Sequence, residues 1–173
     1  MKSKALFFIL TFYLFTPPIG THAFPEIHYI DDDQKTKSQF ILSITKYLQW
    51  STPTESIVLG IISNNDEMYK TLSALASSRS SGKKIIIKNY TDVSEIEDCN
   101  ILFVTKGGEL SVNEIRQLDI TNLLVITEQE GEKDSAINLI NKEGKLMFEV
   151  NREVVGKTGV KMASKLMDLA IVK

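Results

Sequence analysis

Short, almost wholly apolar runs alternate with amphipathic segments along the middle of this chain, and this alternation restricts the possible folds more than any other feature. Residues 57–62 form one apolar run and residues 84–88 form the next, with a segment of helical periodicity at 67–78 between them. A continuous apolar run is typical of a strand covered on both faces. The order strand, helix, strand therefore predicts a βαβ unit with parallel strands.

The same alternation continues towards the C-terminus. It predicts a strand at 101–105, a helix at 111–118, a strand at 122–127, a hairpin of 136–140 with 145–149, and a terminal helix at 160–170. Apolar residues at helical spacing in this last helix, Met162, Ala163, Leu166, Leu169 and Ala170, should form a stripe buried against the sheet. An amphipathic helix is also expected at 34–49, before the first strand. Together these elements predict a compact three-layer α/β sandwich with a mainly parallel central sheet, a C-terminal antiparallel hairpin and a packed C-terminal helix.

The N-terminus has the features of a secretory signal peptide. Two lysines precede an apolar run at 5–15, two prolines follow it, and small residues lead up to Ala23. We therefore predict a signal peptide at 1–23 that is cleaved after Ala23, so that no membrane-inserted segment remains. Residues 24–35 would form a lead-in, and 36–173 a single domain large enough for its own core.

Charge and cysteine content exclude several classes of protein. The chain has 20 basic and 22 acidic residues, and loss of Lys2 and Lys4 would leave 18 against 22, a formal charge of −4. A mildly acidic chain without a basic stripe is not expected to bind nucleic acid. Cys99 is the only cysteine, so we predict a small buried side chain, and any disulfide would have to be intermolecular.

No catalytic residue, metal site or cofactor site is predicted. His28 would be the only histidine of the processed chain and lies outside the predicted sheet, so an oriented base for a secreted hydrolase is lacking. The turn after Lys106 completes no nucleotide-binding motif. The loops at 63–66, 105–109 and 127–131 should nevertheless gather at one edge of the sheet, where a small ligand could bind.

Three segments carry a resemblance to a known family. They are the helix end with Lys46, Tyr47 and Trp50, the strand that begins at Cys99, and a C-terminal block formed by Phe148, Val150, Asn151, Gly159, Val160, Ser164, Leu166, Met167, Leu169 and Ala170. The chain resembles the YfiR-like family of periplasmic regulatory proteins from about residue 37 to 172. Ser51 departs from the pattern, since the family has proline there.

This resemblance implies a periplasmic protein that binds the periplasmic part of an inner-membrane signalling protein, a diguanylate cyclase or a sensor kinase. It would modulate that protein, and so cyclic-di-GMP and biofilm formation, without catalysis. We predict partner contacts at Tyr47, Trp50, Glu149, Arg152 and Val155. Core packing of the two aromatic residues and a solvated Glu149–Arg152 ion pair are the alternatives. A homodimer is possible, and a periplasmic small-ligand-binding sensor domain is the alternative function.

Overall fold

A seven-stranded sheet with helices on both faces forms the body of the protein. The computed structural model describes residues 29–79, 82–96, 98–118 and 120–173. The predicted signal peptide and His28 lie outside the described residues.

The helices and strands follow one another along the chain in the predicted order, with additional short elements. The helices are α1 (Tyr29–Ile44), α2 (Glu67–Ser77), α3 (Val112–Arg116), α4 (Arg152–Lys157) and α5 (Ser164–Met167). The strands are β1 (Leu48–Trp50), β2 (Ser56–Ile62), β3 (Lys84–Asn89), β4 (Ile101–Val104), β5 (Leu124–Thr127), β6 (Ile137–Lys142), β7 (Lys145–Val150), β8 (Val160–Met162) and β9 (Ile171–Val172). Single 3₁₀ turns occupy Thr45–Tyr47 and Val93–Glu95.

The large sheet has the strand order β3-β2-β4-β5-β6-β7-β9. Every neighbouring pair from β3 to β6 is parallel, β6 and β7 are antiparallel, and β9 is parallel to β7. The predicted mainly parallel sheet with a C-terminal antiparallel hairpin is therefore confirmed. The chain leaves β2 towards β3 on one side and returns to β4 on the other, so the strand order reverses between β2 and β4.

Two apolar clusters separate the three layers of the sandwich. On one face, Ile41 of α1 and Leu72 of α2 share a cluster with Phe103 of β4. On the other face, Ile115 of α3 packs in a cluster with Leu102, the strand residue next to Phe103. Because successive strand residues point to opposite faces, a continuous apolar run such as β4 fills both clusters. The three-layer prediction is confirmed.

The C-terminal segment differs from the predicted helix at 160–170. Its first residues form β8, which pairs antiparallel with β1 in a separate two-stranded sheet, and only Ser164–Met167 is helical. Leu166 is buried as predicted, whereas Leu169, which was expected to be buried, is 69% exposed. The helix predicted at 34–49 likewise ends at Ile44, since Leu48 pairs with Met162 of β8. A pairing between distant segments thus overrides two local helical patterns.

Candidate functional site

Three loops meet in a groove at the carboxyl ends of the central strands, as the sequence predicts. Ser63 follows β2, Thr105 follows β4 and Glu128 follows β5, and all three line one hollow together with residues of α1. This hollow continues into a wider groove of about 700 Å³ beside the β6–β7 hairpin. Ligands of open α/β sheets commonly bind where the strand order reverses, and here that point lies between β2 and β4.

A pair of opposite charges joins α1 to the loop after β5 within this groove. The Lys37 ammonium nitrogen lies 2.5 Å from an oxygen of Glu128 and 2.7 Å from an oxygen of Asp33. The Lys37 and Glu128 side chains are only 19% and 11% exposed. The second carboxylate oxygen of Glu128 accepts the backbone N–H of Lys106 at 2.7 Å. The ion pair therefore fixes the loops after β4 and β5 against α1.

The surroundings of Lys37 favour its charged form. Burial by itself would lower the pKa of this ammonium group, but hydrogen bonds and charge from Asp33 and Glu128 outweigh burial, so the pKa is raised. A raised pKa means that the folded state holds the proton more tightly than the unfolded state. The resulting stabilisation is complete below pH 10.5 and is lost as the pH rises through the folded-state pKa.

A buried asparagine of β6 connects the loop after β5 to the hairpin. The side-chain oxygen of Asn138 accepts hydrogen bonds from the Thr127 hydroxyl at 2.9 Å and the Gln129 backbone N–H at 3.1 Å. Its amide donates to the Gln129 carbonyl at 3.0 Å and to a Glu149 oxygen at 3.3 Å. A buried amide satisfied in this way holds the loop after β5 against the hairpin.

Glu149 faces this groove, and its ion pair differs from the expected one. Its carboxylate lies 2.7 Å from the ammonium group of Lys173, the last residue of the chain. The alternative of a solvated Glu149–Arg152 pair is therefore wrong. The reason is geometric: β9 runs beside β7 with Ile171 in register with Glu149, and this pairing brings Lys173 to that carboxylate.

The other predicted contact residues lie around the small β1–β8 sheet and the helix α4. Trp50 is 7% exposed and donates its indole N–H to the Asn122 carbonyl at 3.1 Å. Tyr47 is half-buried, and its carbonyl accepts the Ala163 N–H at 2.9 Å. Val155 is buried in the same cluster as Trp50, whereas Arg152 is exposed. The pairing of β1 with β8 thus brings the predicted contact residues Tyr47 and Trp50 close to Val155 of α4.

Sequence reasoning missed two parts of these surfaces. The ion pair of Lys37 was not predicted, although Asp33 and Lys37 have the i, i+4 spacing of a helical ion pair. The exposed Leu169 was expected in the core because its position fits a helical stripe, and Val172 at the end of β9 is also 40% exposed. No local pattern distinguishes this exposed leucine from a buried one.

The described ranges hold neither a metal cluster nor a membrane span. In residues 29–79, 82–96, 98–118 and 120–173, no three side chains of His, Cys, Asp or Glu come together as a metal site. Across the same ranges, no helix combines the length and the apolar character needed to cross a bilayer.

A family model matches most of this chain. The model is described as YfiR/HmsC-like, and its match over residues 34–171 includes most of the groove lining and the β1–β8 region. A search among curated proteins found no match.

Proposed function

Because this chain belongs to the YfiR/HmsC-like family, we propose that it is a periplasmic regulatory protein of cyclic-di-GMP signalling. In this proposal it binds the periplasmic part of an inner-membrane signalling protein, a diguanylate cyclase or a sensor kinase, and changes its activity without catalysis. The observation that carries the proposal is the family match over residues 34–171, which spans nearly all of the described fold.

An exposed apolar surface at the C-terminus supports the docking role. Leu169 and Val172 are 69% and 40% exposed, and the pairing of Val172 with Val150 places it at the same end of β7 as the exposed Arg152. We call Arg152, Leu169 and Val172 the C-terminal surface. Exposed apolar patches mark docking surfaces, and arginine is enriched in protein interfaces. Of the predicted contact residues, Arg152 belongs to this surface.

Regulation by docking needs only a modest difference in affinity. A protein that binds one conformation of its partner about 2–3 kcal/mol more tightly than another changes the ratio of the two by about thirty- to a hundredfold or more. No covalent step is needed for such a change. A protein that only docks onto one conformation of a membrane enzyme can therefore control the activity of that enzyme.

Copurification tests this proposal. The tagged protein is incubated with detergent-solubilised membranes of its host, and bound proteins are identified by mass spectrometry. We expect recovery of a membrane protein that has a periplasmic domain and a cytoplasmic cyclase or kinase domain. Leu169→Asp should reduce this recovery about tenfold or more, because it places a charge in the apolar contact. Asn113→Asp, which adds the same charge at an exposed position of α3, should not.

Cellular measurement separates the two partner classes. If the partner is a cyclase that this protein restrains, deletion of the gene should raise intracellular cyclic-di-GMP. Expression of the wild-type protein in the deletion strain should return cyclic-di-GMP to its normal level, whereas the Leu169→Asp variant should not. Unchanged cyclic-di-GMP together with changed phosphorylation of a response regulator would indicate a kinase. Recovery of no such membrane protein by the wild-type chain would refute the docking role.

The groove at the strand ends favours a second candidate, a periplasmic sensor of a small ligand. Its volume of about 700 Å³ lies in the usual range of small-molecule sites, and its lining combines Lys37 and Glu128 with apolar Leu139 and Leu146. Thermal-shift measurements with a panel of amino acids and nucleotides would test this function. A ligand that stabilises the wild-type protein but not a Lys37→Met variant would support it.

A further inference from the structure

Strand β3 forms one outer edge of the large sheet and has free hydrogen-bonding groups. Among the described strands it pairs with β2 alone. The Tyr90 N–H that follows β3 donates to Ile61 of β2 at 2.9 Å. Since backbone groups alternate in direction along a strand, those of Ile85, Ile87 and Asn89 point away from β2. Within the described ranges these groups form no other hydrogen bond.

The side chains of β3 give its two faces different properties. Ile85 and Ile87 pack against the apolar cluster that contains α2. On the opposite face, the half-buried Ile86 lies between the exposed Lys84 and Lys88. A strand added beside β3 would therefore meet a lysine, an isoleucine and a lysine in succession on that face.

We propose that the free edge of β3 binds an extended segment of a partner protein by strand addition. The bound segment carries an apolar residue between two acidic residues on the face that meets Lys84, Ile86 and Lys88. Charge argues for this occupant: the protein as a whole has a formal charge of −2, yet β3 carries two lysines and no acid. Neither lysine takes part in an ion pair of the described residues.

A second copy of this chain fits the edge less well than an acidic strand. Antiparallel pairing of two β3 strands centred on Ile86 would place Lys84 of each copy opposite Lys88 of the other. Other registers still collect four lysines on one face of the joined sheet, and like charges across a strand pair are destabilising. Lysines on an edge strand also discourage unspecific strand pairing, so the edge selects its partner by charge.

A peptide titration tests the proposal directly, with a synthetic strand in place of the partner. The probe is a capped, soluble peptide with the core Glu-Thr-Val-Thr-Glu flanked by Gly and Ser, and the control is the same peptide with lysine in place of glutamate. Nuclear magnetic resonance of the protein labelled with ¹⁵N-isoleucine should show that the acidic probe shifts the Ile85 and Ile87 amides and slows their hydrogen exchange. The lysine peptide should bind about tenfold more weakly or not at all.

Charge reversal supplies the matched protein variants. The double variant Lys84→Glu with Lys88→Glu should lose the acidic peptide and gain the lysine peptide, so that loss of binding cannot be confused with unfolding. Lys142→Glu with Lys145→Glu makes the same charge change at an exposed cross-strand pair of the hairpin and should bind as the wild type does. The proposal fails if neither peptide shifts the β3 amides, if both bind equally, or if the free protein already pairs through β3 as a dimer.

Discussion

At the scale of single residues, a tyrosine, a glycine and a cysteine fit together on one face of the sheet. The Tyr90 ring covers Gly60 of β2 so closely that a Cβ atom there would lie 2.3 Å from a ring carbon and 2.9 Å from the Cys99 sulfur. Cys99 itself is 3% exposed, which confirms the prediction of a small buried side chain. An intermolecular disulfide would require local opening of this face.

Replacement of Gly60 by alanine should destabilise the fold. The added methyl group overlaps the Tyr90 ring, and overpacking of this kind costs about 1–3 kcal/mol in the free energy of unfolding. Urea denaturation followed by circular dichroism measures this loss. Gly156→Ala is the matched control, because its Cβ meets nothing within 4 Å in α4, and there alanine should stabilise by about 0.5–1 kcal/mol. Equal stability of the two variants would contradict the contact.

The same cluster should make the protein sensitive to alkali. Burial raises the pKa of Cys99 from 9.0 to about 12 and that of Tyr90 from 10.0 to about 12. Both groups are neutral when protonated, so the unfolded chain releases these protons at a lower pH than the folded protein does. The contribution of these two groups to the free energy of unfolding is therefore complete below about pH 9 and falls as the pH rises towards 12.

Urea midpoints measured between pH 7 and pH 11 check this expectation. The wild-type midpoint should decrease above pH 9, and a Cys99→Ala variant should show a shallower decrease, because it lacks the thiol that ionises in the unfolded chain. If both proteins had the same dependence on pH, the buried thiol would not contribute.

At the scale of elements, the small β1–β8 sheet connects parts of the chain that are far apart in sequence. Trp50 lies opposite Val160 in this sheet and also bonds to the Asn122 carbonyl just before β5. The Ser51 hydroxyl adds a hydrogen bond of 2.6 Å to the Asn122 side chain. Three segments are thus tied together at the amino ends of the central strands.

This arrangement predicts that β1 unfolds together with the rest of the domain. Trp50 is the only tryptophan, so its fluorescence reports on this sheet alone, and its unfolding curve should coincide with that of circular dichroism. Trp50→Phe should cost about 0.5–1.5 kcal/mol, because the Asn122 carbonyl loses its donor. Gln49→Ala, at an exposed position of the same strand, should be close to neutral. Fluorescence that changes at lower urea than circular dichroism would show that β1 detaches first.

The elements also show where sequence reasoning succeeds and where it does not. The central strands were predictable because burial on both faces leaves a local signature, as in the run from Ile101 to Val104. The edge where the three loops meet followed from the parallel order of those strands. The pairing of Val160–Met162 with β1 was not predictable, because its apolar residues fit a helix as well as a strand. The ion pair of Lys37 with Glu128 depends in the same way on how α1 crosses the sheet.

At the scale of the whole molecule, different edges of one sheet offer different surfaces. The groove lies at the carboxyl ends of the central strands, the C-terminal surface at the end of β7, and the lysine-bearing edge along β3. Each surface differs in chemistry, being mixed polar, apolar and basic respectively. Because the proposed contacts at these surfaces are separate, we expect variants at one surface to leave binding at the others intact.

The proposed periplasmic role requires export, and export makes a measurable prediction about the chain itself. Processing after Ala23 would produce a protein that begins at Phe24, so the intact mass of material from a periplasmic fraction should match residues 24–173. Ala23→Glu should block this processing, because signal peptidase needs a small residue before the cut, and the uncleaved chain should remain with the membrane fraction. His22→Gln, at the neighbouring position, should still be processed. Recovery of the full-length wild-type chain from the cytosol would contradict both the export and the function proposed from it.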